Sequence, residues 1–232
     1  MTAEDPVEFN IFGVNQVQVK AEVGMTFAAA LKSFLRQDPN VILIGEIRDL
    51  ETGAIAVKAA LTGHLVLATL HTNDAPATIT RLLDMGIEPF NVASAVTVVV
   101  AQRLLKKICP DCITPVTYDD GYFDRLKMSA ADRAVQYYAG SGKDAAGETC
   151  KRCNGSGYKG RCGVYEVLAM EPAIQKIIMS GQATSSAIKR AAAATGRFDT
   201  LRMDAIQKAK DGKTDLEQVR LETASDDDVG PE

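Results

Sequence analysis

Two apolar runs of the sequence end in an acidic or an imidazole side chain, and two further acids lie near the amino terminus. Glu46 ends the run VILIGE, His71 ends LVLATLH, and Glu4 and Asp5 lie near the amino terminus. Both runs have the composition of strands buried in a parallel sheet, and ligands of such sheets bind at the carboxyl ends of the strands. A carboxylate in this place can hold Mg²⁺ or polarise the attacking water. For Glu46 alone, an ordinary solvated residue after a strand is an equally good interpretation.

The cysteines indicate a second kind of site. Cys109 and Cys112 form CPDC, and Cys150 and Cys153 form CKRC. Two such pairs match tetrahedral Zn²⁺ held by four thiolates, and four protein ligands leave no open position, so the metal would be structural. Cys162 has no paired neighbour and lies in a strand-like stretch, where we expect a buried, inert thiol.

The elements that must position these residues alternate between strand and helix, which predicts an α/β fold with a parallel sheet. Thr26, Asp49 and Asp74 are the expected N-caps of the helices. The predicted elements are a strand within 14–20, a helix from 26 to Pro39, the strand VILIG, a helix from 49 to 62 ended by Gly63, the strand 65–71, a helix from 74 to Gly86 and a longer helix from Pro89 to Lys107. The opening residues, TAEDPVEF, are expected to be a loop.

The composition changes after residue 108. All five cysteines fall within 109–165, which we interpret as a loop-rich zinc module. Residues 166–224 are predicted to form a helical subdomain, and 225–232 a disordered acidic tail. Its helices are expected at 172–180, 184–195, 199–211 and 215–223, the last with a capping box between Thr214 and Glu217.

Charge and hydropathy narrow the class of function. The net charge of −4 does not favour nucleic acid as a partner. A solvated surface is favoured over an anion-binding one for the seven basic residues that lie near the cysteines in sequence. They are Arg103, Lys106, Lys107, Lys151, Arg152, Lys159 and Arg161. The longest apolar run, near 93–101, is shorter than the roughly 20 residues that cross a bilayer. We therefore expect a cytoplasmic protein that meets a membrane only through partners.

Several stretches together resemble the motor ATPases of type II secretion and type IV pilus assembly. They are TAEDPVEF, GEIRD, TGHLVLATLHT, RLLDMGIEPF, AQRL and GYKGRCGVYEV. The resemblance implies that residues 1–108 belong to a RecA-like P-loop NTPase core. It implies that Glu46 is the Walker B carboxylate and that Glu4 activates or orients water. Asp5 would support the same loop, and His71 would lie near the γ-phosphate.

Two further polar residues near these motifs have open roles. For His64, at the start of the strand that leads to His71, a packing or helix-terminal role is at least as good an interpretation as contact with nucleotide. Arg48 could pair with Asp49 or with an acid of a neighbouring subunit, and a solvated salt bridge is slightly favoured.

The same resemblance implies partners and cofactors. These are ATP, Mg²⁺ and Zn²⁺, a homo-hexamer, and a platform protein at the cytoplasmic face of the inner membrane. The cysteine pairs are shared by the assembly and secretion branches, whereas pilus retraction ATPases generally lack them. Pilus assembly is our first interpretation and type II secretion the alternative. A non-catalytic, zinc-stabilised interaction module is the alternative from another class.

The glycine-rich phosphate loop of this family does not precede Glu4. AGSGKD, residues 139–144, fails the pattern because Tyr137 stands where the first glycine belongs and Asp144 where Ser or Thr belongs. We expect it to be a flexible loop. The sequence is therefore expected to be a C-terminal part of a motor, without hydrolytic activity by itself.

Overall fold

The computed structural model describes residues 1–224, and the chain forms two compact units. The first comprises Met1–Val99 with Leu168–Ala192, and the second comprises Val100–Val167 with the chain from Ala193 onward. The helices that the sequence places in one subdomain, 166–224, thus contribute to both units.

Within residues 1–224, the two units contain eight strands and ten α-helices. The strands are β1 (Thr2–Glu4), β2 (Gln16–Gln18), β3 (Val41–Ile44), β4 (Leu65–Ala68), β5 (Val98–Ile108), β6 (Ile113–Val116), β7 (Tyr137–Gly140) and β8 (Tyr158–Ala169). The helices are α1 (Phe27–Phe34), α2 (Leu50–Leu61), α3 (Ala75–Asp84), α4 (Pro89–Ala95), α5 (Asp120–Arg125), α6 (Ala130–Arg133), α7 (Pro172–Met179), α8 (Ser185–Ala193), α9 (Leu201–Lys210) and α10 (Leu216–Glu222).

A four-stranded parallel sheet in the order β2-β1-β3-β4 organises the first unit. Ala3 is in register with Ile44, and Ile44 with Ala68, so three strands end at one edge. The α/β prediction with a parallel sheet is confirmed. The prediction of a loop at the amino terminus is wrong for Thr2–Glu4, because β1 hydrogen-bonds to strands on both sides.

Helices α1 and α2 supply much of the first unit's core, together with β3. The fully buried members include Leu31, Phe34, Ile42 and Ile44. Burying each such side chain contributes roughly 1.5–3 kcal/mol. The three predicted N-caps are confirmed, since the side chains of Thr26, Asp49 and Asp74 each accept a hydrogen bond from the backbone N–H three residues on.

The predicted helix from Pro89 to Lys107 is wrong in its second half. Helix α4 ends at Ala95, and β5 begins at Val98. The run TVVV explains the change, because β-branched side chains are restricted in a helix and suit a strand.

The second unit has its own core, to which both of its sequence segments contribute side chains. Strand β5 pairs with β8, and β6 pairs antiparallel with β7. Leu105, Phe123, Tyr137 and Val164 pack with apolar residues of α9 and α10. The helices predicted near 199–211 and 215–223 are confirmed as α9 and α10, and those near 172–180 and 184–195 as α7 and α8.

The capping box predicted at Thr214 is wrong. Asp215 is the N-cap of α10, and its side chain accepts from the Gln218 N–H. Thr214 donates its hydroxyl to the Lys106 carbonyl instead, at 2.8 Å. Cys162 lies in β8, a strand as predicted, but it is half-buried beside the second unit's core and not buried as expected. Among residues 1–224, no helix has the length and apolar character that crossing a membrane requires. The predicted acidic tail lies outside the described residues.

Candidate active site and cysteine cluster

Gly45 allows the end of β3 to lie close against β1. Its N–H donates to the Ala3 carbonyl at 2.7 Å. A Cβ at this position would lie 3.1 Å from that carbonyl oxygen and 3.4 Å from the Glu4 Cα. A side chain here would therefore push apart the two segments that carry Glu4 and Glu46.

Glu46 is a buried carboxylate whose two oxygens have different surroundings. The residue is 8% exposed. Its Oε1 forms an ion pair with Arg48, and its Oε2 lies 3.4 Å from the His71 Nε2. Within the described residues, this buried Oε2 has no hydrogen-bond partner. Buried polar atoms are almost always satisfied, so an oxygen of this kind suits a ligand, and hard cations such as Mg²⁺ prefer carboxylate and water oxygens.

Arg48 and His71 complete the surroundings of Glu46. The hydrogen bond and charge of Glu46 raise the pKa of Arg48, with a smaller contribution from the Asp5 charge. The His71 side chain is 88% exposed. Arg48 and His71 are thus exposed partners of a buried carboxylate.

Glu4 is held separately, by one side chain of its own strand and one of β2. The Thr2 hydroxyl donates to its Oε1 at 2.5 Å, and the Gln16 Nε2 donates to the same oxygen at 2.9 Å. These two hydrogen bonds, that from Gln16 first, lower the pKa of Glu4. Sequence reasoning missed Gln16, although its place in the alternating run NQVQV puts its side chain on a defined face of a strand.

The predicted site residues therefore fall into two neighbouring groups. Glu46, Arg48 and His71 lie together at the ends of β3 and β4, and Glu4 lies at the end of the adjacent β1. Asp5 is exposed and acts on Arg48 through its charge.

His64 and Arg48 have clear structural partners. The His64 Nδ1 lies 2.9 Å from the Ala59 carbonyl oxygen, so this histidine lies at the end of α2. Arg48 pairs with Glu46 and not with Asp49 as one interpretation had it, because the Asp49 carboxylate accepts from the Thr52 N–H at 2.8 Å to cap α2.

In the second unit, four buried cysteines converge. The sulfur atoms of Cys109, Cys112, Cys150 and Cys153 all lie within 4.8 Å of one another. The Cys109 and Cys150 sulfurs are 3.9 Å apart, and those of Cys112 and Cys153 are 3.7 Å apart. Four sulfurs at about 2.3 Å from one zinc ion lie about 3.8 Å apart at tetrahedral angles. The donor set and its spacing fit Zn²⁺.

Backbone hydrogen bonds hold the two cysteine turns together. The Cys109 N–H donates to the Gly157 carbonyl, and the Cys150 N–H to the Gly142 carbonyl, both at 2.9 Å. A Cβ on Gly140 would lie 1.9 Å from the Gly157 oxygen, so this approach requires glycine. The stretch AGSGKD is thus part of the cysteine scaffold, and its interpretation as a flexible loop is wrong.

Burial governs the ionisation of the metal-free thiols. It raises the pKa of Cys109, and that of Cys112 to about 12. Burial opposes ionisation of Cys153 as well, but hydrogen bonds from the Gly157 N–H and from the other three thiols lower the pKa of Cys153 to about 7. Because thiolates are the metal ligands, metal binding must release protons from this cluster.

The basic residues near the cysteines lie at the surface. Arg152 pairs with Asp111 at 3.1 Å, with both side chains about half exposed. An exposed pair of this kind adds little stability.

The family of this chain follows from its similarity to known proteins. A sequence pattern described as "Type II/IV secretion system protein" matches residues 1–221. The chain belongs to this family. It is 47% identical over 225 residues to a type IV pilus assembly ATPase, PilB, of Myxococcus xanthus, covering 97% of this chain and 38% of the relative. It is 45% identical over 219 residues to the type II secretion system ATPase E of Vibrio cholerae, covering 94% and 41%.

A solved structure supports the same assignment. The pilus retraction motor PilT with bound ADP superimposes with a TM-score of 0.66 at 27% identity, over 97% of this chain and 52% of that one. The chain spans about two fifths of the length of the curated relatives described above. The family and the fold predicted from sequence are confirmed.

Proposed function

We propose that this chain is the carboxylate-bearing C-terminal part of a hexameric motor that hydrolyses ATP to drive type IV pilus assembly. One observation carries the proposal. In a chain 47% identical to a pilus assembly ATPase, Glu46 follows a parallel strand with a buried oxygen that lacks a hydrogen-bond donor within residues 1–224.

Each residue of the site has a role in this proposal. Glu46 holds Mg²⁺ directly or through water, and Glu4 orients the attacking water from the neighbouring strand. Asp5 supports the Glu4 segment, and His71, exposed beside Glu46, responds to the γ-phosphate. Magnesium neutralises charge that develops on the phosphates.

The cysteine cluster is proposed to bind one structural Zn²⁺. Cys109, Cys112, Cys150 and Cys153 supply the four ligands. All four are buried, so the metal would cross-link two turns and leave no position open for substrate. This site stabilises the second unit and has no part in hydrolysis.

The partners follow from the same proposal. The motor works at the cytoplasmic face of the inner membrane as a homo-hexamer and contacts a platform protein of the pilus machine. Nucleic acid is not among its partners. Type II secretion is the second candidate, because the identity to the Vibrio cholerae secretion ATPase is nearly as high, at 45%.

Deleting the gene in its host separates the two candidates. Loss of surface pili with normal export of secreted enzymes supports pilus assembly, whereas normal pili with enzymes retained in the cell support secretion. Complementation with the wild-type gene is the control. A non-catalytic zinc module predicts instead that Glu46→Gln complements as well as the wild type and that Cys109→Ser does not.

A further inference from the structure

The Gln16 side-chain amide forms hydrogen bonds to three residues of the segment that begins with Glu4. Its Nε2 donates to the Glu4 Oε1 at 2.9 Å and to the Phe9 carbonyl at 3.0 Å. Its Oε1 accepts from the Ile11 N–H at 2.7 Å. A primary amide has two N–H donors and a carbonyl acceptor, so all three roles are filled. The reversed amide would place its oxygen against the carboxylate and its N–H groups against the Ile11 N–H, so one orientation fits.

Both donors to the Glu4 carboxylate reach the same oxygen. Within the described residues, Thr2 and Gln16 hydrogen-bond to Oε1, and Oε2 has no hydrogen bond. Two donors on one oxygen fix the plane of the carboxylate and favour its charged form. The other oxygen then remains available to accept a hydrogen bond from water.

Gln16 also sets the loop between β1 and β2. This loop presents large apolar side chains to solvent, including Phe9, Ile11 and Phe12. Without the Gln16 amide, two of its backbone groups would lose their partners. The loop and the Glu4 carboxylate are therefore tied to one side chain.

We propose that Gln16 is a positioning residue, which holds the Glu4 carboxylate ionised and oriented and couples it to the β1–β2 loop. The inference deepens the proposed function, because its value for the reaction depends on Glu4 acting on water. The contact itself does not depend on that reaction.

A matched pair of variants tests the contact without nucleotide. Gln16→Met keeps the length of the side chain and removes the amide. Gln18→Met is the control, because Gln18 lies on the same strand, opposite Glu4 in the register, and accepts from the Val7 N–H of the same loop. Its Nε2 donates to the Val19 carbonyl and not to the Glu4 carboxylate. The readout is the titration of the Glu4 carboxyl group by ¹³C NMR on the 232-residue chain.

Gln16→Met should raise the pKa of Glu4, and Gln18→Met should leave it at the wild-type value. Exchange of the Ile11 amide hydrogen should be about fivefold faster in Gln16→Met, the factor expected for one lost hydrogen bond. Neither substitution adds or removes a charge, so the charges around Glu4 are the same in all three proteins. An unchanged Glu4 titration in Gln16→Met, or an equal rise in both variants, would overturn the inference.

A second substitution distinguishes loss of the hydrogen bond to Glu4 from a general loosening of the loop. Gln16→Glu keeps an acceptor for the Ile11 N–H, removes both donors and adds a negative charge beside Glu4. The pKa of Glu4 should rise further than in Gln16→Met, while Ile11 exchange stays near the wild-type rate. Fast Ile11 exchange with an unshifted Glu4 in this variant would refute the assigned geometry.

The failure of this inference and that of the proposed function can be told apart. Neither NMR readout requires ATP. In the full-length protein, the acid limb of the turnover profile should move to higher pH in Gln16→Met, because a base of raised pKa is protonated over a wider range. A shifted Glu4 titration without this movement would remove Glu4 from the reaction, and with it the catalytic value of Gln16.

Discussion

Replacing single cysteines tests which thiols bind the proposed zinc ion. The critical variants are Cys153→Ser, at a ligand position, and Cys162→Ser, at the half-buried thiol outside the cluster. Sulfur separations of 3.7 and 3.9 Å bracket the edge of about 3.8 Å that a zinc tetrathiolate requires. We therefore expect one zinc per chain in the wild type and in Cys162→Ser. In Cys153→Ser we expect a content well below one.

The structural effect of metal loss should be confined to the cysteine turns. Binding of structural zinc is worth about 10–16 kcal/mol in zinc-finger peptides, which is enough to order the cysteine turns. The apolar core of the second unit is a separate cluster, in which α9 and α10 pack around Leu105 and Val164. The helical signal should therefore persist in Cys153→Ser while amides near the cysteines exchange faster.

Elemental analysis after purification without chelators measures the metal, and circular dichroism measures the helices. Wild-type protein with far less than one zinc per chain would refute the assignment. Loss of zinc in Cys162→Ser would show that the ligand set is wrong.

Three further results are expected. Gly140→Ala should cost about 3 kcal/mol in urea unfolding, because its Cβ would lie 1.9 Å from the Gly157 carbonyl oxygen, and a cost below 0.5 kcal/mol would contradict the packing. Asp215→Ala should lower the free energy of unfolding by about 2 kcal/mol, because its carboxylate both caps α10 and accepts from the Tyr158 hydroxyl at 2.6 Å. Tyr158→Phe keeps the cap and should cost about half as much, and equal costs in the two variants would refute two separate contributions. The 232-residue chain alone should show no Mg²⁺-dependent ATP turnover, because phosphate contacts supply much of the transition-state stabilisation; turnover abolished by Glu46→Gln in this chain would refute that expectation.

Local signals in the sequence predicted much of the first unit. Thr26, Asp49 and Asp74 each precede a helical pattern, and capping depends only on residues three apart, so sequence alone identifies them. The strand VILIG was recognisable because a buried parallel strand is apolar on both faces. The four cysteines of the cluster could be named for the same local reason, since each cysteine pair is one tight turn.

Long-range contacts decided what sequence could not. The sequence predicts that the helix from Pro89 continues past Ala95, whereas the segment that follows pairs as β5 with β8. Thr214 and Asp215 are both good caps, and the bond from Thr214 to the Lys106 carbonyl, 108 residues away, leaves the cap to Asp215. Gln16 is a neutral side chain whose role depends on a neighbouring strand.

Turnover by the full-length protein with Glu46→Gln tests the central claim most directly. The amide keeps the shape of the side chain but carries no charge for Mg²⁺ or for activation of water. The account predicts that nucleotide still binds, measured with a fluorescent ATP analogue, and that turnover falls by roughly 10² or more. Near-normal turnover in this variant would contradict the assignment of Glu46 and leave Glu4 as the next candidate.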